Sequence, residues 1–188
     1  MNGHVRSITL ERVIACTDVH YTDSHAIAAC VLFRSWSDAH ADLAIIERLK
    51  DPAPYVPGRF YQRELPALLT VISKLIVRLD VIIIDGYVWL GEWDHPGLGA
   101  YLHKALGRSV VVIGVAKRPF RPGPAVQTIR RGTSARPLYV SAAGMELNEA
   151  AARIVDLHGE FRVPTLLKRV DRLCRGHFDA MESDLTES

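Results

Sequence analysis

The sequence predicts an α/β fold: a mixed sheet of three antiparallel strands followed by two parallel strands, with helices on both faces. Three observations carry that prediction. Apolar segments joined by short spacers fill the first 50 residues. The hydrophobic period then switches to that of a helix. Two wholly apolar runs, 81–84 and 110–113, follow on either side of a second helical stretch. The chain has 188 residues, 48% hydrophobic and 23% charged, which suits one globular domain over 1–188 rather than a disordered chain. Residues 178–188 are expected to form a flexible tail.

The elements follow in order. Residues 13–19 read as a strand on Val13, Ile14 and Ala15, residues 26–33 as a second, and residues 43–49 as a third carrying Ala44, Ile45 and Ile46. Their short spacers favour antiparallel hairpins. Leu65, Leu68, Leu69, Ile72, Leu75, Ile76 and Leu79 recur at helical spacing. Pro66 is acceptable there if it lies in the first turn, where amides lack intrahelical partners. Val81-Ile-Ile-Ile84 suits a central strand ending at Asp85, and Val110-Val-Val-Ile113 suits another stopping at Gly114, with a helix over 99–106 between them. After the proline-rich loop 118–124, residues 127–130 and 137–140 suit a small hairpin. Residues 146–157 and 165–173 suit helices. This is the element order of the ribonuclease H-like fold.

Asp18 then stands at the end of the first strand and Asp85 at the end of the fourth. Glu64 stands at the start of the intervening helix. If the two strands are parallel neighbours, three hard oxygen donors converge at one sheet edge, as proteins bind Mg²⁺ or Mn²⁺. Phosphodiester hydrolysis needs an activated water and a stabilised leaving oxygen, and metal ions about 4 Å apart can serve both. Net charge is only +2, but there is no Asp or Glu from His95 to Met145. That stretch carries Lys104, Arg108, Lys117, Arg118, Arg121, Arg130, Arg131 and Arg136, from which a positive face for phosphates is expected. Cys16, Cys30 and Cys174 form no CxxC pair and read as buried apolar side chains. His20, His25, His40, His158 and His177 have no metal-site spacing. No apolar run approaches the roughly 18 residues of a membrane span, and the N-terminus lacks a signal layout, so a cytoplasmic protein is expected.

Several motifs now accumulate in one order. They are Pro54-Tyr-Val-Pro-Gly58 running on to Arg63-Glu64, then Ile84-Asp85-Gly86, His95-Pro96 with Gly99 and His103, and Gly114-Val-Ala-Lys117. Arg162-Val-Pro164 follows, with Asp171 seven residues beyond Pro164. From about Ile14 to Arg172 the chain resembles the endonuclease V family, which cuts nucleic acid 3′ of deaminated purines such as inosine. The resemblance implies Asp18, Glu64 and Asp85 as ligands of Mg²⁺, with Mn²⁺ as a substitute, and Asp171 as an accessory acid. It implies that Lys117 contacts the scissile phosphate or orients the attacking water. It makes Tyr55, held between Pro54 and Pro57, a wedge at the lesion, worth about 1–3 kcal/mol if it replaces a stacked base. The base would turn out into a pocket near the backbone of Gly86 and Gly114, with His95 and His103 at hand. The implied partner is DNA or RNA containing deaminated purines, with no membrane and no obligate protein partner.

Four departures from the family pattern stand out. The chain begins almost at its first strand, where the family has a helical segment, so less helical cover of one face is expected. Gly86-Tyr87-Val88 replaces Gly-His-Gly. Residues 85–95 are longer than usual and insert Trp89-Leu-Gly-Glu-Trp93. Gly97-Leu98 replaces a pair of arginines, with one residue fewer before His103. The last three surround the expected base pocket, so intact metal chemistry with a shifted base preference is expected. Trp89 and Trp93 could stack on a base, close the pocket or cover the exposed face. Two other functions use the same residues: a family member that binds without cutting, and a nuclease of this fold acting on another damaged or branched substrate.

Overall fold

The computed structural model describes residues 12–22, 24–50, 52–54 and 59–176. The expectations of a wedge at Tyr55 and Pro57, of a flexible tail and of less helical cover at the N-terminus concern residues outside these. In chain order the elements are β1 (Ile14–Tyr21), β2 (His25–Phe33), β3 (Leu43–Lys50), α1 (Phe60–Ser73), β4 (Val81–Asp85) and α2 (Leu98–Ala105). β5 (Val111–Ala116), β6 (Gln127–Ile129), β7 (Leu138–Ala143), α3 (Leu147–Asp156) and α4 (Thr165–Cys174) complete them. The strands form one sheet in the order β3-β2-β1-β4-β5-β7-β6. β1, β2 and β3 pair antiparallel, while β1–β4 and β4–β5 pair parallel.

The expected helices on both faces are present. On one face α1 and α2 bury Ala67, Leu68, Val71 and Leu102 against Ala28, Ile82, Ile84 and Val112. On the other, α3 and α4 bury Ala150, Ile154, Leu166 and Val170 against Cys16, Val31, Ile83 and Val140. Alternate residues of β4 thus serve opposite cores, which is why Val81-Ile-Ile-Ile84 carries no polar residue. The three cysteines are free and buried, as expected.

Four expectations about the elements are corrected. α1 begins five residues before Leu65 and ends at Ser73. Its first turn, Phe60-Tyr-Gln-Arg63, lacks the apolar period that marked the rest. Leu75 and Ile76 follow the helical spacing but lie beyond the helix, and Ile76 is fully exposed. Pro66 is the seventh helical residue rather than a first-turn one, so the Gln62 carbonyl loses an amide donor. β5 continues through Gly114 to Ala116. Gly114 is a packing residue, because a Cβ there would lie 2.6 Å from the Gly86 carbonyl oxygen. Finally, the expected hairpin is not separate: β7 runs to Ala143 and pairs antiparallel with both β5 and β6, which widens the sheet to seven strands.

Arg131 corrects the charge argument. It is 5% exposed, and its guanidinium donates to the carbonyls of Phe161 at 2.9 Å, Gly159 at 3.2 Å, Val155 at 3.3 Å and also Leu157. Burial lowers its pKa, and the carbonyls supply the acceptors a desolvated cation needs. Arg131 therefore ties β6 to the connection between α3 and α4 and is not part of a phosphate-binding face. Arg131→Met is expected to cost about 3 kcal/mol, because several carbonyls lose a charged donor at once, and to lower Tm by roughly 6–12 °C in a melting experiment.

Candidate active site

Parallel pairing of β1 with β4 ends at Thr17 opposite Ile84. The next residue on each strand is a carboxylate, Asp18 on β1 and Asp85 on β4. Asp18 is not at the end of its strand, as the sequence suggested, since β1 runs on to Tyr21 paired with β2 alone. What ends there is the shared register, and that brings the two acids level.

α4 supplies a third acid from the opposite core. Ligand oxygens of Asp18, Asp85 and Asp171 all lie within 4.8 Å of one another. Asp171 is fixed from behind by Arg175, whose Nε donates to Oδ1 at 3.1 Å. Glu64 projects from the second turn of α1 and is 8% exposed. Its pKa is pushed up to about 9, first by burial and then by the charges of Asp18 and Asp85, against a smaller opposing pull from Arg63. Asp18 is pushed up to about 7, by burial first and by Asp85 next, although it accepts the Val19 amide at 2.8 Å. The expected trio was Asp18, Glu64 and Asp85. Among the described residues, the acids that converge within 4.8 Å are Asp18, Asp85 and Asp171, and Glu64 is near enough to feel the charges of the first two.

Lys117 follows directly on β5. Its Nζ donates to Asp85 Oδ2 at 2.5 Å, with both side chains about one-third exposed. Burial alone would lower its pKa, but Asp85, the hydrogen bond to it, Asp171 and Asp18 together hold it above the ordinary lysine value. In the metal-free chain these carboxylates therefore favour the ammonium form of Lys117. Its main chain is held by Arg162, which donates to the Lys117 carbonyl and, at 2.7 and 3.2 Å, to the Pro137 carbonyl. Sequence reasoning quoted Arg162 only as part of a motif. This clamp, and the Cys174 thiol 3.8 Å from Asp18 Oδ2, were missed because neither residue type announces such a contact. Thr17, Asp18, Asp85, Lys117, Leu167 and Val170 enclose a cavity of about 10 Å³, the space of roughly one water-sized species.

All the donors here are oxygens, and burial first, then mutual repulsion, raises the pKa of two of the carboxyl groups, Glu64 and Asp18. That donor set fits a hard divalent cation, which would relieve the repulsion and keep the acids ionised. A larger cavity of about 450 Å³ opens beside it, lined in part by Lys117, Phe161, Arg162 and Asp171.

Among the described residues, the structure brings the expected base-pocket residues Gly86 and Gly114 side by side, with His95, His103 and Pro54 engaged elsewhere or exposed. Gly86 has open space on its Cα side and a φ of +145°, so a base can approach it. The side of Gly114 is filled by the backbone of residues 86–88. His95 is exposed and engaged with Asp94 at 2.7 Å. The Nδ1 of His103 meets the Val110 carbonyl at 2.8 Å, and the ring lines a different cavity. Pro54 is exposed. The Trp89 Nε1 donates to the Ala142 carbonyl at 2.8 Å, and Trp93 meets Trp89 edge-on with ring centres 6.3 Å apart.

The chain is similar to known proteins in sequence and in overall fold. The sequence matches the endonuclease V family profile over residues 4–130. It is 30% identical over 184 residues to the endonuclease V of Streptomyces avermitilis, covering 84% of this chain and 77% of that protein. The fold superposes on human ENDOV with a TM-score of 0.75 at 22% identity, covering 88% and 84% of the two chains. It also superposes on Ciona intestinalis endonuclease V, solved in complex with a 24mer DNA containing an inosine followed by a ribo-adenosine. That TM-score is 0.73 at 18% identity, over 90% of this chain and 87% of the other.

Proposed function

From the premise that this chain belongs to the endonuclease V family, and so is an endonuclease, we propose that it cleaves DNA or RNA 3′ of inosine with the help of Mg²⁺. The observation that carries the proposal is the convergence of Asp18, Asp85 and Asp171 within 4.8 Å, with buried Glu64 coupled to the first two. These four residues would hold the cation, for which Mn²⁺ substitutes. Bound there, it supplies a Lewis acid for phosphate charge and acidifies a water.

The chain's own groups account for the rest. Lys117, whose ammonium sits beside Asp85, donates to a non-bridging phosphate oxygen and steadies charge that builds up in the transition state. Arg162 fixes the Lys117 backbone so that the ammonium need not be ordered when substrate arrives. Asp171, oriented by Arg175, completes the acidic rim. Among the expected base-pocket residues, Gly86 retains this role: its open Cα side lets a base approach the main chain next to Asp85. The role of Tyr55 as a wedge rests on the family motif.

The test is a cleavage assay on one strand with and without a single inosine, as DNA and as RNA, in Mg²⁺ or Mn²⁺. Scission next to inosine, abolished by EDTA, is expected. Intact inosine substrate despite normal binding would overturn the assignment.

A further inference from the structure

A cavity of about 950 Å³ lies away from the carboxylates, and none of the acids described above lines it. It occupies the other end of the sheet. Its floor is at Ala142 and Ala143, and Ala143 pairs with Val112 near the start of β5, whereas Asp85 pairs with Val115 near the end. Its volume is within the range of small-ligand sites, roughly 300–1,000 Å³.

The walls have a specific chemistry. Trp89, Trp93 and Tyr101 provide aromatic surface, and Lys104 and Arg108 provide positive charge. Lys104 and Arg108 are exposed and make no ion pair among the described residues. Glu146 is the one acid in the lining.

The aromatic wall is built rather than incidental. Trp89 is pinned through its indole nitrogen to Ala142 and pairs with Pro96 in an isolated bridge. The loop it begins is closed by the Leu90 amide donating to the His95 carbonyl at 2.8 Å, and anchored from outside by the Ala125 amide donating to the Gly91 carbonyl at 3.1 Å. Trp93 is presented on this loop half exposed. The half-exposed Trp93 indole, carried on a fixed loop, lines the same cavity as the exposed Lys104 and Arg108. The same arrangement suits a planar aromatic group with an attached anion.

We infer that this cavity binds a nucleotide unit, with its base against Trp93 and its phosphate between Lys104 and Arg108, at a point separate from the scissile site. The unit is either part of a nucleic-acid strand or a free nucleoside monophosphate. The strand is the source if the chain acts as the nuclease proposed above, and the pocket then extends that nuclease's footprint around α2. Binding alone is measured, so the outcome does not depend on whether the chain cuts.

The experiment titrates the full chain in EDTA with a short single-stranded oligonucleotide lacking inosine, and separately with adenosine 5′-monophosphate. Tryptophan fluorescence is the readout. Quenching by the parent is expected, with about tenfold weaker binding for Trp93→Ala. The exposed double substitution Lys104→Ala/Arg108→Ala is expected to bind several-fold more weakly. It should also lower the dependence of oligonucleotide affinity on salt by a slope of about 1. Losses confined to the oligonucleotide identify a strand as the ligand. Equal losses for adenosine 5′-monophosphate, bound as tightly as the oligonucleotide, identify a free nucleotide. Parental affinity for both probes in both variants, each melting as the parent does, overturns the inference. Should the inosine assay fail while these losses appear, the nuclease assignment falls and the pocket stands.

Discussion

Asp85→Asn is expected to lower cleavage by at least three orders of magnitude, about 4 kcal/mol in the barrier, while nucleic-acid binding stays within a few-fold of the parent. The substitution keeps the shape of the side chain and an oxygen for Lys117 to donate to, but removes the charge shared by the whole cluster. The same charge repels Asp18 and Glu64. Its loss should therefore raise the melting temperature of the metal-free protein even as activity disappears. Stability gained where function is lost is the expected signature of a strained acidic site. The Lys117–Asp85 pair does not offset this, because both groups are about one-third exposed and such pairs contribute little. Single-turnover cleavage and melting curves in EDTA check the two halves independently. Parental cleavage by Asp85→Asn would place the chemistry elsewhere.

The second large effect is on pH. Glu64 and Asp18 have folded-state pKa values pushed up to about 9 and about 7, above the ordinary values 4.5 and 3.8. Between those limits the folded, metal-free chain binds more protons than the unfolded one, so stability falls as pH rises. The contribution is fully present below about pH 4, and it is lost progressively as the solution passes through pH 7 towards pH 9. A divalent cation binds the ionised forms and so opposes this loss. Melting in EDTA should fall by several degrees between pH 5 and pH 8.5, at about 2–4 °C per kcal/mol for a chain of this size. The stabilisation added by saturating Mg²⁺ should grow over the same interval. A Mg²⁺ effect that is absent, or that does not change with pH, would mean the carboxyl groups are not its ligands.

Much of this was legible in the sequence, for reasons that differ by element. β4 and β5 announced themselves because both of their faces are buried, so an unbroken apolar run could not be mistaken for surface. α1 was found through the stripe from Leu65 to Ile72, but its first turn was not, because Phe60 and Gln62 face solvent and carry no period. Gly114 looked like a stop because its packing partner, the backbone after Gly86, is distant in sequence from β5. β7 was seen as half a hairpin because nothing local reveals that a strand will insert beside β5.

The acidic site divides in the same way. Asp18 and Asp85 were predictable from strand register. Asp171 is expected only from the family motif, as an accessory acid near the metal, because it rides on a helix from the opposite core and the packing of α4 on β1 brings it in. Arg131 was counted with the phosphate-facing cations because charge is visible in a sequence and burial among carbonyls is not. His95 and His103 come from the family motif that follows the Trp89–Trp93 segment, and they are hydrogen-bonded to Asp94 and to the Val110 carbonyl.

Anomalous diffraction from crystals soaked in Mn²⁺ tests the central claim most directly. A peak bonded to oxygens of Asp18, Asp85 and at least one of Asp171 and Glu64 is predicted. An ion found only elsewhere, or none at saturating concentration with Lys117 still seated on Asp85, would contradict it.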